Sequence, residues 1–360
     1  MSRVWDIPVH DSTRVRDARV AAETAGVLAR LSPHRTAITA LVATELATNL
    51  LKHAGGGRMV INLVERADTT GAGVREVAVQ LCALDHGSGI PDVTTALRDG
   101  YTTEPGSLGA GLGTCLRISS AFDLHSTAGR GTVALARIDQ HPATGQRPPA
   151  GPDVTVGAIN VSLARAEHSG DAMAWVRHGS RLTLLHADGL GHGAKAAHAS
   201  TTAVDELHRT AHLPPAEILR HLHTVLRPTR GVAAAVAQLD AGTRRLSFAG
   251  VGNIGARLRT AGGWQALISH PGIVGAAFPA TVPVRQMPWH GNSLLILHSD
   301  GLPSRWMPPE DPRLLDSDPA VVAAAILRDA GSPALPVRDD TSVAVMAPNH
   351  RTSTHGPSSP

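Results

Sequence analysis

Four aspartates stand where apolar runs end: Asp171 in Ser169-Gly170-Asp171, Asp188 after LTLLHA, Asp300 after LLILHS, and Asp339 beside Asp340 in RDDT. In Asp188-Gly189 and Asp300-Gly301 a glycine follows the acid, the mark of a tight turn. Carboxylates that converge repel one another, so a site of three or four needs divalent cations. Two Mg²⁺ or Mn²⁺ ions bridged by one aspartate can activate a water for in-line attack on phosphorus. The sequence holds no competing Cys or His nucleophile motif.

A second constellation lies nearer the N-terminus. Glu45 and Asn49 are four residues apart, on one face of a helix, and Lys52 and His53 follow. A carboxylate and a carboxamide on one face suit Mg²⁺, which takes hard oxygen ligands and shares them with waters and phosphates. Asp85 ends an apolar run and is followed by Gly87 and Gly89. Those glycines let backbone approach a flat ligand and leave Asp85 free to accept from an exocyclic amine. Gly109, Gly111 and Gly113 then open a helix, and free N–H groups at a helix start cradle phosphate.

The pattern around these residues predicts the elements that hold them. Strands are expected at 4–9, 59–65, 74–84, 124–127 and 132–138, with helices at 14–31, 33–52 and 113–121, Ser32-Pro33 marking the start of the second. That is a mixed α+β layer, with helices on one face of a sheet. Beyond it, strands are expected at 154–163, 173–177, 182–187, 232–239, 245–250, 256–260, 293–298 and 342–346. Helices are expected at 193–212, 215–226 and 319–330. Between the two sets lies HPATGQRPPAGP, whose four prolines exclude both helix and central strand. The expected units are therefore 1–140, a Pro-rich linker 141–152, 153–348, and a disordered Pro/Ser-rich tail 349–360. A tether that short keeps the two sites at an effective concentration that reaches roughly the millimolar range.

Composition narrows the class. The 360 residues carry 33 Lys+Arg against 30 Asp+Glu, so no single-sign field argues for nucleic acid. No apolar run is long enough to span a membrane. The first residues, MSRVWDIPVHD, hold no apolar signal-peptide core. Cys82 and Cys115 lack metal spacing and suit a reducing, cytoplasmic compartment. With nine aromatics, the cores must be built from Ala, Val and Leu. His208 and His212 share a helix face, but no third ligand is patterned for Zn²⁺, and a solvated role is the expectation.

The ordered strings ELATNLLKHAGG, DHGSGIPD, DGYTTEPGSLGAGLG and GRGT resemble the ATP-binding fold shared by histidine kinases, gyrase B, Hsp90 and anti-sigma-factor serine kinases. The short lid and GSLGAGLGTCLRISSAFDLHSTAGRGT most resemble the RsbT-like switch kinases. The resemblance implies an α/β sandwich with Mg-ATP bound between helices and sheet. Asn49 would hold Mg²⁺, Glu45 would polarise the acceptor hydroxyl, and Asp85 would read the adenine amino group. Gly87 and Gly89 would shape the adenine pocket, with Thr132 in support. Gly109, Gly111 and Gly113 would wrap the phosphates beside Lys52 and His53, and 98–108 would be the lid. The implied substrate is a serine or threonine on a STAS-domain antagonist of the RsbS/RsbR type, with a downstream phosphatase as a further partner.

SGD, ADGLGHGAKAA, RGVAAAVAQLD, FAGVGNIGARL, HSDGL and RDDTSVAV resemble the metal-dependent type-2C protein phosphatases in their compact RsbX/SpoIIE form. This implies a four-layer α-β-β-α fold and two Mn²⁺ or Mg²⁺ ions. Asp188 would bridge them, the Gly189 carbonyl would be a further ligand, and Asp171, Asp300 and Asp339 would complete the shell. The family pattern selects Asp339 over Asp340, because Ser342 fits its last position. Arg165 is a loose match for the arginine that grips substrate phosphate in animal-type members. The expected whole is a bifunctional kinase and phosphatase in a sigma-factor or stress partner-switching pathway. The rival is a phosphatase whose first domain only binds a partner under nucleotide control, as anti-sigma relatives do.

Overall fold

The structure is a computed structural model that describes residues 3–65, 76–97, 111–140, 154–331 and 339–349. The first half runs β1 (Val4–Val9), α1 (Ser12–Leu28), α2 (Pro33–Ala54), β2 (Gly57–Glu65), β3 (Val77–Leu84), α3 (Val93–Ala96), α4 (Gly111–Ile118), β4 (Ala121–Thr127) and β5 (Gly131–Ile138). Local chemistry sets the ends of α2. Ser32 accepts from the Arg35 N–H at 3.3 Å, Pro33 occupies the first turn, and Gly55 at φ +68° closes the helix left-handed. The strands form one antiparallel sheet in the order β1-β2-β3-β5-β4.

The second half runs β6 (Val154–Val161), a 3₁₀ turn (Leu163–Arg165), β7 (Asp171–His178), β8 (Arg181–Gly189), α5 (Ala194–Thr210), α6 (Pro215–Leu226), β9 (Val232–Asp240) and β10 (Arg245–Val251). It continues with β11 (Gly255–Thr260), β12 (Gly263–Leu267), β13 (Arg285–Pro288), β14 (Leu294–His298), α7 (Pro312–Leu315), α8 (Pro319–Ala330) and β15 (Thr341–Pro348). Two five-stranded sheets, β13-β10-β9-β8-β7 and β12-β11-β14-β15-β6, enclose a core of Leu184, Phe248, Leu295 and Met346. Helices α5 and α6 cover the outer face of the first sheet, and α8 covers the outer face of the second. The expected α-β-β-α layering is present. Strands β12 and β13 were not legible: both are short and mostly exposed, so no hydrophobic period marks them.

The two halves are not bodies on a string. The N-terminal sheet is apolar on both faces. Met59, Ile61 and Leu81 pack beneath α1 and α2, whereas Val60, Cys82, Leu84, Val133 and Leu135 pack against α8. Helix α8, PAVVAAAILRDA, has no polar face, and every residue from Ala320 to Leu327 is buried. It is clamped between the N-terminal sheet and the sheet carrying β6 and β15. The layers therefore run α1/α2, sheet, α8, sheet, sheet, α5/α6. The contact follows from packing rather than from the linker, because the second apolar face of a sheet must be covered by something. Residues 141–153 lie outside the described set. No helix among the described residues is long and apolar enough to cross a membrane.

Candidate nucleotide pocket and candidate metal centre

Between α2, α4 and the N-terminal sheet lies a cavity of about 380 Å³, within the range of small-molecule sites. Its apolar wall includes Leu46, Leu50, Ile90 and Leu124, and its polar groups include Asn49, His53, Asp85 and Thr132. Asp85 is buried, and one carboxylate oxygen accepts from the Gly87 N–H at 2.8 Å and the Thr132 N–H at 3.1 Å. The other oxygen carries no hydrogen bond from the described residues, so a ligand N–H can reach it. The hairpin that supports Asp85 demands glycine. A Cβ at Gly131, φ +90°, would lie 2.1 Å from the Asp85 carbonyl oxygen; one at Gly89, φ +77°, would lie 2.4 Å from that of Thr127. Thr132 steadies the arrangement through its hydroxyl, 2.9 Å from that of Ser126.

Glu45 and Asn49 meet the start of α4. A Cβ at Gly111 would lie 2.9 Å from Glu45 Oε2 and 3.8 Å from the Asn49 amide atoms. Gly111 and Gly113 fall in the first turn of α4, where N–H groups lack intrahelical acceptors. These features fit a nucleotide: a flat apolar slot ending in a carboxylate, then an amide, an acid and a helix start. Lys52 is exposed and does not line the cavity, whereas His53 does. Gly109 and the expected lid, 98–108, lie outside the described residues.

In the second half, β7 and β8 pair so that Asp171 and Asp188 face each other directly across the ladder. Asp171 is fully buried. One oxygen accepts from the Ser342 hydroxyl at 2.6 Å, and the other has no hydrogen-bond partner. Burial pushes the Asp171 carboxyl up to about 7 against the help of Ser342 and Ser299. Burial, then the charges of Asp171, Asp300 and Asp339, push Asp188 up to about 9. Asp300 is also raised, by partial burial and then by Asp339, while its Oδ2 accepts from the Asn253 amide at 2.6 Å. Gly189 admits no side chain, since a Cβ would meet the Ala196 carbonyl oxygen at 2.2 Å.

The adjacent Asp339 and Asp340 divide sharply. Asp340 is buried, with its two oxygens accepting from the Leu163 and Gly170 N–H groups at 2.7 Å each. Asp339 is exposed and adds its charge to Asp188 and Asp300. Among the described residues no three His, Cys, Asp or Glu side chains stand in a finished ligand set. The fit to a cation rests on donor chemistry: hard oxygens only, a buried carboxylate oxygen without a partner, and acids that burial and mutual charge hold toward their protonated forms.

Sequence reasoning missed Ser342 and Asn253 as carboxylate partners. It also missed the Asp340 clamp, which only the fold brings to Leu163 and Gly170. Arg165 sits exposed at φ +60° as the last residue of the 3₁₀ turn. Arg230 lies closer to the Asp188 turn, its Nη1 2.9 Å from where a Cβ at Gly191 would stand. His208 and His212 do not converge: His208 contacts Glu65 of the first half at 2.9 Å, and the His212 ring lies 6.0 Å from that of His178.

Comparison with known proteins finds a match in each half of the chain. Residues 178–348 match the family model of Stage II sporulation protein E, SpoIIE. The N-terminal region is 40% identical over 93 residues to serine/threonine-protein kinase RsbT of Bacillus subtilis (strain 168). That stretch is 26% of this chain and spans only 64% of RsbT. Among solved structures, a chain from "The bacterial stressosome: a modular system that has been adapted to control secondary messenger signaling" is 27% identical, with TM-score 0.48, covering 54% of this chain and 98% of that one. RsbX in complex with magnesium is 19% identical, with TM-score 0.46, covering 56% and 98%. The SpoIIE phosphatase domain from Bacillus subtilis is 16% identical, with TM-score 0.40, covering 58% and 99%. The chain thus joins a region similar to RsbT to a region that matches the SpoIIE family model.

Proposed function

We propose that this chain is a cytoplasmic partner-switching regulator that both phosphorylates and dephosphorylates STAS-domain antagonist proteins. The C-terminal half is a metal-dependent phosphoserine/phosphothreonine phosphatase, and the N-terminal half is an ATP-dependent serine/threonine kinase. One observation carries the phosphatase reading: Asp171 and Asp188 oppose each other on paired strands, Asp171 buried and Asp188 half-buried, with one Asp171 oxygen left without a partner.

Asp171, Asp188, Asp300 and Asp339, with the Gly189 carbonyl, would hold two Mg²⁺ or Mn²⁺ ions. The ions supply positive charge and make a water nucleophilic near neutral pH. The chain's own residues do the rest. Asp340 ties the 3₁₀ turn and the Ser169–Asp171 segment to the Asp339 segment, so carboxylates from distant strands keep their spacing. Asn253 orients Asp300 and Ser342 orients Asp171. Arg230, on the rim of the Asp188 turn, is placed to pair with a phosphate, which guanidinium binds through two parallel hydrogen bonds. In the first half, Asp85 would read the adenine amine and Asn49 would hold Mg²⁺. Glu45 would draw the proton from the acceptor hydroxyl.

Incubation of the purified chain with a phosphorylated STAS protein and Mn²⁺ tests the first activity. Loss of phosphate that disappears in Asp188→Ala supports it, and full activity in that variant refutes it. Transfer of phosphate from ATP to the same protein, absent in Glu45→Ala, tests the second.

A second reading of the N-terminal half is favoured by one contact: the His86 ring, beside Asp85, lies 3.2 Å from the Arg328 carbonyl oxygen at the end of α8. The residue that follows the pocket's Asp85 thus touches the helix that both halves share. In that reading the half is a nucleotide-gated binding module of the anti-sigma type. It would form a stoichiometric complex with its partner and transfer no phosphate.

A further inference from the structure

Strand β6 is an edge strand, and an edge leaves a row of backbone N–H and C=O groups without a strand partner. Here the N-terminal sheet supplies the partners with side chains. Asn62 on β2 donates from Nδ2 to the Asn160 carbonyl at 2.9 Å and accepts at Oδ1 from the Asn160 N–H at 3.2 Å. This reciprocal pair does for Asn160 what a neighbouring strand would do. Gln80, opposite Asn62 on β3, donates to the Ala158 carbonyl at 2.8 Å. Asn62, Gln80 and Asn160 are all buried.

The chain of contacts does not stop at β6. The Asn160 side chain donates from Nδ2 to the Asp171 carbonyl at 2.9 Å. Ser342, which pairs with Asn160 on β15, donates its hydroxyl to the Asp171 carboxylate at 2.6 Å. Asp171 is therefore held at its backbone by Asn160 and at its carboxylate by Ser342, and Asn160 is itself fixed by Asn62.

We propose that Asn62, in the N-terminal half, is a positioning residue for the metal centre in the C-terminal half. It acts through Asn160 on Asp171, so the cation affinity of one half depends on a side chain of the other. The proposal rests on the reading of Asp171 as a cation ligand. Removing the Asn62 amide leaves a buried N–H and C=O of Asn160 without partners, and the backbone must shift to recover them. A shift there is transmitted to the Asp171 carbonyl. Gln80 bonds the same strand two residues away and has no bond to Asn160 or Asp171, so it separates positioning from simple adhesion of the two halves.

The test measures Mn²⁺ binding to the full chain by the electron paramagnetic resonance signal of free Mn²⁺, with thermal unfolding in chelator as the check on folding. Asn62→Leu should weaken Mn²⁺ binding about tenfold, the lower end of the range for outer-shell partners of metal ligands. Gln80→Leu should stay within about twofold of the parent. Where Asn62→Leu does not fold, Asn62→Ser, uncharged and too short to bond both backbone groups of Asn160, should give a several-fold weakening. Parent-like Mn²⁺ binding in a folded Asn62 variant overturns the proposal. So does equal weakening by Gln80→Leu, which would make Asn62 a structural contact only. Undiminished Mn²⁺ binding in Asp188→Ala would instead overturn the metal-centre reading itself, a distinct result.

Discussion

Arg137 of β5 and Asp318 at the start of α8 meet in a two-pronged ion pair, with both N–O distances at 2.8 Å, across the boundary between the halves. Both are largely buried, and Asp318 also accepts from the Ala320 N–H at 3.0 Å, capping α8. One carboxylate thus starts the shared helix and anchors it to the N-terminal sheet. Arg137→Ala strands that carboxylate without its cation, and breaking one side of a buried pair costs about 3–5 kcal/mol. Urea unfolding should show a loss in that range. A replacement of both partners by apolar residues should lose less than the sum of the two single changes.

Separating the halves should fail as a route to a soluble phosphatase. A chain beginning at residue 153 exposes the apolar side of α8 and the edge of β6 at once. Expressed alone, it should be insoluble or self-associated by size-exclusion chromatography. Co-expression with residues 1–140 should restore a soluble complex of the two pieces.

Asp171 should be more costly to the protein without cation than with it. In chelator, Asp171→Asn removes a buried carboxyl that faces Asp188 and should raise the unfolding midpoint. A gain of about 1 kcal/mol corresponds to roughly 2 °C in a protein of this size. The same variant should bind Mn²⁺ more weakly, so the parent overtakes it in thermal stability as Mn²⁺ is added. Calorimetry with and without Mn²⁺ reads both arms.

His125 should make the fold acid-sensitive. Its ring is buried in the first half, 3.6 Å from Asp311 of the second. Burial holds it below the ordinary imidazole value, with Asp311 opposing. The unfolded chain therefore takes up a proton first, and the native state loses stability as pH falls from about 6.5 through the lowered folded value. Between pH 7.5 and 5.5 the urea midpoint of the parent should fall more than that of His125→Gln.

The sites were more legible in the sequence than the contact between the halves. Asp85 with Gly87 and Gly89 could be read because glycines follow an acid at a strand end, Gly89 at φ +77° and Gly87 pressed against Ala54. Asp188-Gly189 and Asp300-Gly301 could be read because acid and turn sit together at strand ends. The different fates of Asp339 and Asp340 could not be derived from residue chemistry, since the clamp to Leu163 and Gly170 spans more than 160 residues. Asn62, Gln80 and Arg137 did leave a signal: each is a polar residue flanked by apolar neighbours within its strand. Their partners, however, lie in another half of the chain. Helix α8 announced its burial by having no polar face, and nothing local said that two sheets would share it.

That shared helix sets an order of events during synthesis. The N-terminal sheet is complete in sequence at Ile138, but the element that covers its second face ends at Ala330. At ribosomal rates of about 5–20 residues per second, roughly 10–40 s separate the two. Throughout that interval the nascent N-terminal half carries a bare apolar face. It needs a chaperone, or a transient cover, until the last helix emerges.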